Sequence, residues 1–264
     1  MMGPAHSLSG AAAWLGVGAV AAALDRAMPW PVLVVGALIC AGAALAPDLD
    51  HKSATISRAF GPLSRGLCGV IDKLSAAVFN ATRGKAERRR SGGHRTLTHT
   101  WIWAVLIGVG FSAAAVTGGR WAVLVILFIH MVLAVEGLLW RMARVSSDVL
   151  VWLLGATTAW ILAGVLDQPG NGADWLFTAP GQEYMWLGLP IVLGAVVHTL
   201  GDAITVSGCP MLWPVPIARK RWYPIGPPQF MRFRAGTWVE MKVLMPVFGV
   251  LGAGSGLVAL GYVV

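Results

Sequence analysis

Three short stretches carry most of the residues that can do chemistry, and each joins histidine to a second donor. In Pro47-Asp48-Leu49-Asp50-His51, three potential ligands fall within four residues. Read as extended chain, the alternation around Leu49 aims the carboxylates of Asp48 and Asp50 the same way. In His94-Arg95-Thr96-Leu97-Thr98-His99, two imidazoles bracket an arginine. Thr98 reads there as the cap of a following helix, with His99 in its first turn. In His198-Thr199-Leu200-Gly201-Asp202, the i,i+4 spacing on a helix puts imidazole and carboxylate on one face, a common chelating pair. His6 stands alone near the start. Neutral imidazoles and carboxylates suit zinc or manganese, and paired carboxylates can bridge two ions.

The elements that must position these groups follow from composition. Of 264 residues, 56% are hydrophobic and only 12% charged, with a mean hydropathy of +0.69. So few charges cannot cover a soluble surface, which excludes a soluble domain, a disordered chain and a coiled coil. What remains is an all-α polytopic membrane protein forming one domain over 1–264. A span needs about 20 mostly apolar residues. Seven are expected, near 8–24, 31–47, 100–118, 121–140, 147–166, 185–206 and 243–263. Its early apolar stretch lacks a basic leader region and is read as a retained span rather than a signal peptide.

Charge sets the expected orientation. All 20 basic residues except Arg26 and Arg120 lie in segments 48–99, 141–144 and 207–242, which seven spans place on one side. The positive-inside rule makes that side the cytoplasm, with loops 52–97 and 208–241 inside and 167–184 outside. The net charge of +8 then points to anionic lipid headgroups and not to nucleic acid. Residues 56–60 and 67–79 read as amphipathic helices on the membrane surface, and 83–93 as a flexible basic run. Five of the six histidines (His6, His51, His94, His99 and His198) fall on or near the cytoplasmic side, and only His130 lies in mid-span. Cys40, Cys68 and Cys209 form no CxxC pair, so neither a disulfide framework nor a cysteine zinc site is expected.

The motifs resemble the YdjM family of bacterial inner-membrane proteins. The similarity rests on His6-Ser7 with Gly10, on PDLDH at 47–51, on HRTLTH at 94–99, and on HTLGD at 198–202 leading to GCPMLWP at 208–214. It implies metal-dependent hydrolysis with a His/Asp set reminiscent of zinc phospholipase C. The ligands it implies are His6, Asp48, Asp50, His51, His94, His99, His198 and Asp202, holding two or three ions. Asp50, as a carboxylate able to bridge ions, and Arg95, as a planar fork for phosphate, are the candidate catalytic residues.

Competing chemistries are less complete. Ser91-Gly92-Gly93-His94 with His198 and Asp202 suggests a phosphatidate-type phosphatase, but the arginines of that motif are missing. No HExxH or GxSxG occurs. A transporter would string ionisable groups through several spans, and here only His130 and Glu136 are so placed. Ser7, Thr96, Thr98 and Cys209 read as packing or capping groups, since metal-activated water needs no side-chain nucleophile. Glu240 reads equally as an outer ligand or as a partner of Arg234 or Lys242. The Pro/Trp-rich loop 208–238 reads as an interfacial anchor or a lid. The expected substrate is a phospholipid or another lipid-linked phosphoester. The sequence carries no signal for oligomeric state.

Overall fold

The computed structural model describes residues 1–263, and among these there are helices, turns and isolated bridges but no β-strand. The long helices are α1 (Gly3–Ala23), α2 (Trp30–Ala43), α5 (Trp101–Leu138), α7 (Asp148–Leu166), α8 (Gly188–Ala203) and α9 (Met245–Ala259). Counted with the short 3-10 or π-helical pieces that adjoin three of them, these give six segments long and apolar enough to cross a membrane. Short helices α3 (Ile56–Ala59), α4 (Pro62–Thr82) and α6 (Trp140–Ala143) lie between them.

Helix α5 accounts for the difference between six segments and seven expected spans. Its 38 residues would run about 57 Å if straight, nearly twice a hydrocarbon core of roughly 30 Å. Gly119 breaks it, with φ 55 and ψ −147, a conformation that glycine adopts without a Cβ clash. Both ends of α5 return to the same end of the bundle. His99, just before its start, touches His198, while Val132 and Leu133, near its finish, pack with Leu45 beside the Asp48 turn. The element is therefore two antiparallel spans joined at Gly119–Arg120. The opposite end of the bundle carries Arg120 paired with Asp167.

Helix α2 is the axis of the bundle. Val32, Val35, Ile39, Cys40 and Ala43 are fully buried, and α1, α5 and α8 pack around it. Helix α9 packs mainly on α1 and leaves Val250 and Leu251 outward, as a span facing lipid would.

Helix α4 departs from the usual burial pattern. The face it turns to the protein is mostly small or polar, Ser64, Cys68, Ser75 and Ala76, with one large apolar side chain, Phe79, near its end. Leu63, Leu67, Val70 and Leu74, spaced i, i+4, i+7 and i+11, point outward, with Leu63 and Val70 exposed by 75% and 62%. An apolar stripe left open beside a membrane bundle is the mark of a helix lying in the interface. The following stretch 83–93 was expected to be flexible, and the structure corrects this. Glu87 is buried and accepts from the backbone N–H groups of Gly84, Arg221 and Trp222. Asn80 and Arg90 exchange two further bonds. One carboxylate thus pins the basic run to the 219–222 turn.

Candidate metal centre

Helix α2 ends in a tight 3-10 turn at Ala46–Asp50, after Pro47 removes a donor that a continuing helix would need. The turn corrects the extended reading of this stretch. Asp48 and Asp50 do not point the same way: Asp48 Oδ1 faces His99 and His198, whereas Asp50 accepts from Thr98 Oγ1 at 2.6 Å and lies 2.9 Å from His94 Nδ1. A second correction concerns the start of α5. Its cap is Thr100, whose Oγ1 accepts from Trp103 N, and not Thr98. His99 closes a 3-10 turn at Leu97–His99 immediately before it. The i,i+4 pair His198 and Asp202 holds as expected, on the buried face of the last turn of α8.

Four donors from three segments meet in this space. His99 Nε2 and His198 Nε2 are 3.3 Å apart. His99 Nε2 is 3.6 Å from both Asp48 Oδ1 and Asp202 Oδ2. His198 Nε2 is 3.6 Å from Asp48 Oδ1 and 3.7 Å from Asp202 Oδ2. Four ligands at roughly 2.0–2.2 Å from a tetrahedral ion are separated by about 3.3–3.6 Å, and the five contacts that involve His99 or His198 fall at 3.3–3.7 Å. All four ligand atoms lie within 4.8 Å of one another.

The surroundings fix which ring nitrogen faces the centre. His198 Nδ1 is 2.7 Å from the carbonyl oxygen of Ala44, which sets that nitrogen as the donor and leaves Nε2 its lone pair. His99 Nδ1 is 2.9 Å from Thr98 Oγ1, and the Thr98 hydroxyl donates onward to Asp50. Asp50 is thus the outer partner of a cage ligand as well as a neighbour of His94. Burial works against the His99 cation, but Asp202, Asp48 and Asp50 outweigh it and raise the His99 pKa to about 9.

The other expected residues gather around this cage. His6 stacks on His198 with ring centroids 3.8 Å apart and brings Nε2 to 3.3 Å from Asp202 Oδ1. It is fully buried, and neither ring nitrogen makes a hydrogen bond. Leaving such groups unpaired costs about 1–3 kcal/mol each, so a cation here relieves a burden the protein chain alone does not meet. His51 and His94 have ring centroids 4.3 Å apart, and His51 Nδ1 contacts Ser53 Oγ at 3.0 Å. Arg95 adopts a left-handed backbone (φ 56), a conformation that costs a non-glycine residue about 1–2 kcal/mol. Its guanidinium reaches Asp202 Oδ2 at 2.8 Å and Thr205 Oγ1 at 3.3 Å. The Met1 ammonium contacts Asp202 Oδ1. Two cations thus crowd one carboxylate of the cage.

Packing one turn away from the ligands was not read from the sequence. Gly10 of α1 and Gly194 of α8 both press on the carbonyl of Cys40 in α2, where a β-carbon would meet that oxygen at 2.6 and 2.5 Å. Each glycine lies four residues from a buried histidine, His6 and His198. Spacing relative to the histidines, i,i+4 on each side, was the available signal.

Several other residues take bland roles. His130 Nδ1 is 2.7 Å from the Ile126 carbonyl of its own helix. Glu240 is fully buried and accepts from the backbone N–H groups of Met2 and Gly236, pairing with neither Arg234 nor Lys242 and lying outside the cage. Cys209 directs its thiol to the His99 carbonyl, and burial pushes its pKa up. Thr96 bonds the Gly93 carbonyl. The Oγ of Ser7 is buried without a partner. The 208–213 segment docks on the start of α5 through Trp101 N and the Met211 carbonyl.

The sequence model of YdjM, described as an inner membrane protein, matches residues 1–263. The chain belongs to the YdjM family. Comparison with curated proteins and with solved structures gives no match. Family membership and the apolar helices make this a multi-pass inner-membrane protein with a buried cluster able to bind a metal ion.

Proposed function

We propose that the protein is a membrane-bound, metal-dependent hydrolase that cleaves a phosphoester of a phospholipid or lipid-linked substrate at the cytoplasmic face. The observation that carries this reading is the convergence of His99, His198, Asp48 and Asp202, with ligand atoms within 4.8 Å of one another, at the end of a membrane bundle beside an open cavity. Zinc, or manganese, suits two imidazoles and two carboxylates, and His51, His94 and Asp50 are the donors available to a second ion. Bound there, such an ion supplies Lewis acidity and lowers the pKa of water to near neutrality.

The chain's own groups do the rest. Thr98 and Asp50 orient His99, and the Ala44 carbonyl orients His198. Arg95 lines the cavity and, released from Asp202, offers two parallel N–H donors to a phosphoryl oxygen. Water adds to phosphorus and the headgroup alcohol leaves with a proton, so that one P–O bond forms and one breaks. The depth of the site favours a lipid substrate, because it sits where spans end and a lipid arrives by lateral diffusion. The basic segments 48–99, 141–144 and 207–242 share this end, which supports its assignment to the cytoplasm.

Metal analysis of purified protein, followed by turnover assays in mixed micelles, tests the reading. The expected result is at least one bound ion per chain and metal-dependent release of a lipid headgroup. Turnover of soluble phosphoesters with none of lipid would remove the lipid assignment. Metal-coupled ion flux in liposomes with no turnover of either class would replace the hydrolase by a transporter.

A further inference from the structure

The cavity beside the cage is much larger than one phosphoryl group needs. Its volume is about 610 Å³, within the roughly 300–1,000 Å³ range that holds a drug-sized ligand. Asp48, His94 and Arg95 link it to the cage. It is also lined by Arg58, Arg65 and Arg144, which come from α3, α4 and the turn after α6. None of these three segments supplies a cage donor.

The arginines in this part of the cavity are unpaired. Among the described residues the arginines in ion pairs are Arg95 and Arg120, so Arg58, Arg65 and Arg144 have no carboxylate within pairing distance. Three acids line the cavity with them: Asp48, which belongs to the cage, and Glu136 and Asp148. Asp148 stands in the first turn of α7, where the helix N-terminus already favours its charge. Glu136 lies within electrostatic reach of Arg58. Among the described residues neither Arg65 nor Arg144 forms an ion pair with Asp148 or with any other carboxylate. Arg144 holds its guanidinium 4.6 Å from the Trp140 ring centroid, a stacking that orients the planar fork. A tunnel for acyl chains would not be lined this way, whereas a headgroup pocket would.

We propose that Arg58, Arg65 and Arg144 form a second anion subsite, so that the lipid substrate carries a further phosphate on the headgroup that leaves. The inference rests on the metal-centre reading above for the placement of the first phosphate. It is tested by binding, independently of turnover. Metal-loaded protein in detergent is titrated with mixed micelles of phosphatidylglycerol, or of the same lipid bearing a second phosphate on its headgroup glycerol. The expected preference for the second lipid is about tenfold or more, the effect of one well-made charge-assisted contact. In the Arg65→Gln/Arg144→Gln variant that preference disappears, while metal content and binding of phosphatidylglycerol stay as in wild type. Arg65→Lys/Arg144→Lys restores part of it. Competition by soluble glycerol bisphosphate would support the subsite and identify a free bisphosphate as ligand, whereas lipid preference without competition would support it as a lipid headgroup site. Equal binding of the two lipids by wild type, or a preference that survives in the glutamine variant, overturns the proposal. Preference without turnover of any phosphoester would retire the hydrolase and keep the subsite. Turnover without preference would do the reverse.

Discussion

The two ends of the bundle solve the problem of polar groups in a membrane protein differently. At the end distant from the metal centre, Trp14, Trp175 and Trp186 pack as an aromatic cluster, and Trp186 Nε1 donates to the Gly172 carbonyl at 2.9 Å. The one ion pair there among the described residues, Arg120 with Asp167, is partly exposed. Among the described residues, no buried polar side-chain atom of the aromatic cluster lacks a hydrogen-bond partner. At the other end, His6, His99, His198 and Asp202 are fully or almost fully buried, and some of their polar atoms find no hydrogen bond. Buried polar groups are ordinarily satisfied, so an end built with unmet donors and acceptors is built around something else. The aromatic end gives stability to the fold, and the histidine end draws on it.

That contrast breaks most directly at the cage. Replacing His198 or Asp202 by Ala should reduce metal affinity by more than the 10–100-fold, on the order of magnitude, expected for outer partners. Metal analysis after dialysis would read this, and an unchanged metal content in either variant would dissolve the distinction. A smaller effect is expected one step out. Thr98→Val removes the hydroxyl between His99 and Asp50 and should weaken metal binding by about 10–100-fold. Competition with a chromophoric chelator would measure it.

Next comes pH. With its pKa raised to about 9, His99 is protonated at neutral pH in the metal-free protein, and loading an ion must displace that proton. Affinity should therefore rise with pH by up to about tenfold per unit until roughly pH 9, then level off as this displacement ceases. The metal-free protein should behave in the opposite sense. The stability that protonated His99 contributes is complete below about pH 6.5 and is lost as pH rises through 9. Isothermal titration in two buffers of different ionisation enthalpy would count the displaced proton. The smallest effect on the metal belongs to the aromatic end. Trp186→Phe loses its bond to Gly172 and should cost about 1 kcal/mol of stability, with no change in metal affinity.

The spans and the cluster of Asp48, His99, His198 and Asp202 were legible because apolar length and polar clustering are properties of sequence alone. Even the turn at Gly119 was anticipated, as the gap between stretches 100–118 and 121–140. What local reading missed depended on neighbours. The Asp48–Asp50 stretch reads as extended by alternation, yet it closes into a 3-10 turn because Asp50 has a hydrogen-bond destination on a different segment, at Thr98. The run 83–93 looks free by charge, and only the meeting of Glu87 with residues 221–222 reveals that it is tied down. Thr98 and Thr100 are equivalent as caps on paper. The choice of Thr100 leaves Thr98 available to Asp50 and His99.

The carbonyl of Cys40 takes on a further meaning in this light. Where helices meet through leucines, a small displacement is absorbed by a change of rotamer, and the contact behaves as a cushion. Where Gly10 and Gly194 close on the same main-chain oxygen there is no rotamer to change, and the contact behaves as a hard stop. Helices α1, α2 and α8 are therefore registered by backbone against backbone, one turn from His6, Ala44 and His198. The tolerance of the ligand geometry is that of main-chain packing, so the centre is held like a machined part located by three rigid faces.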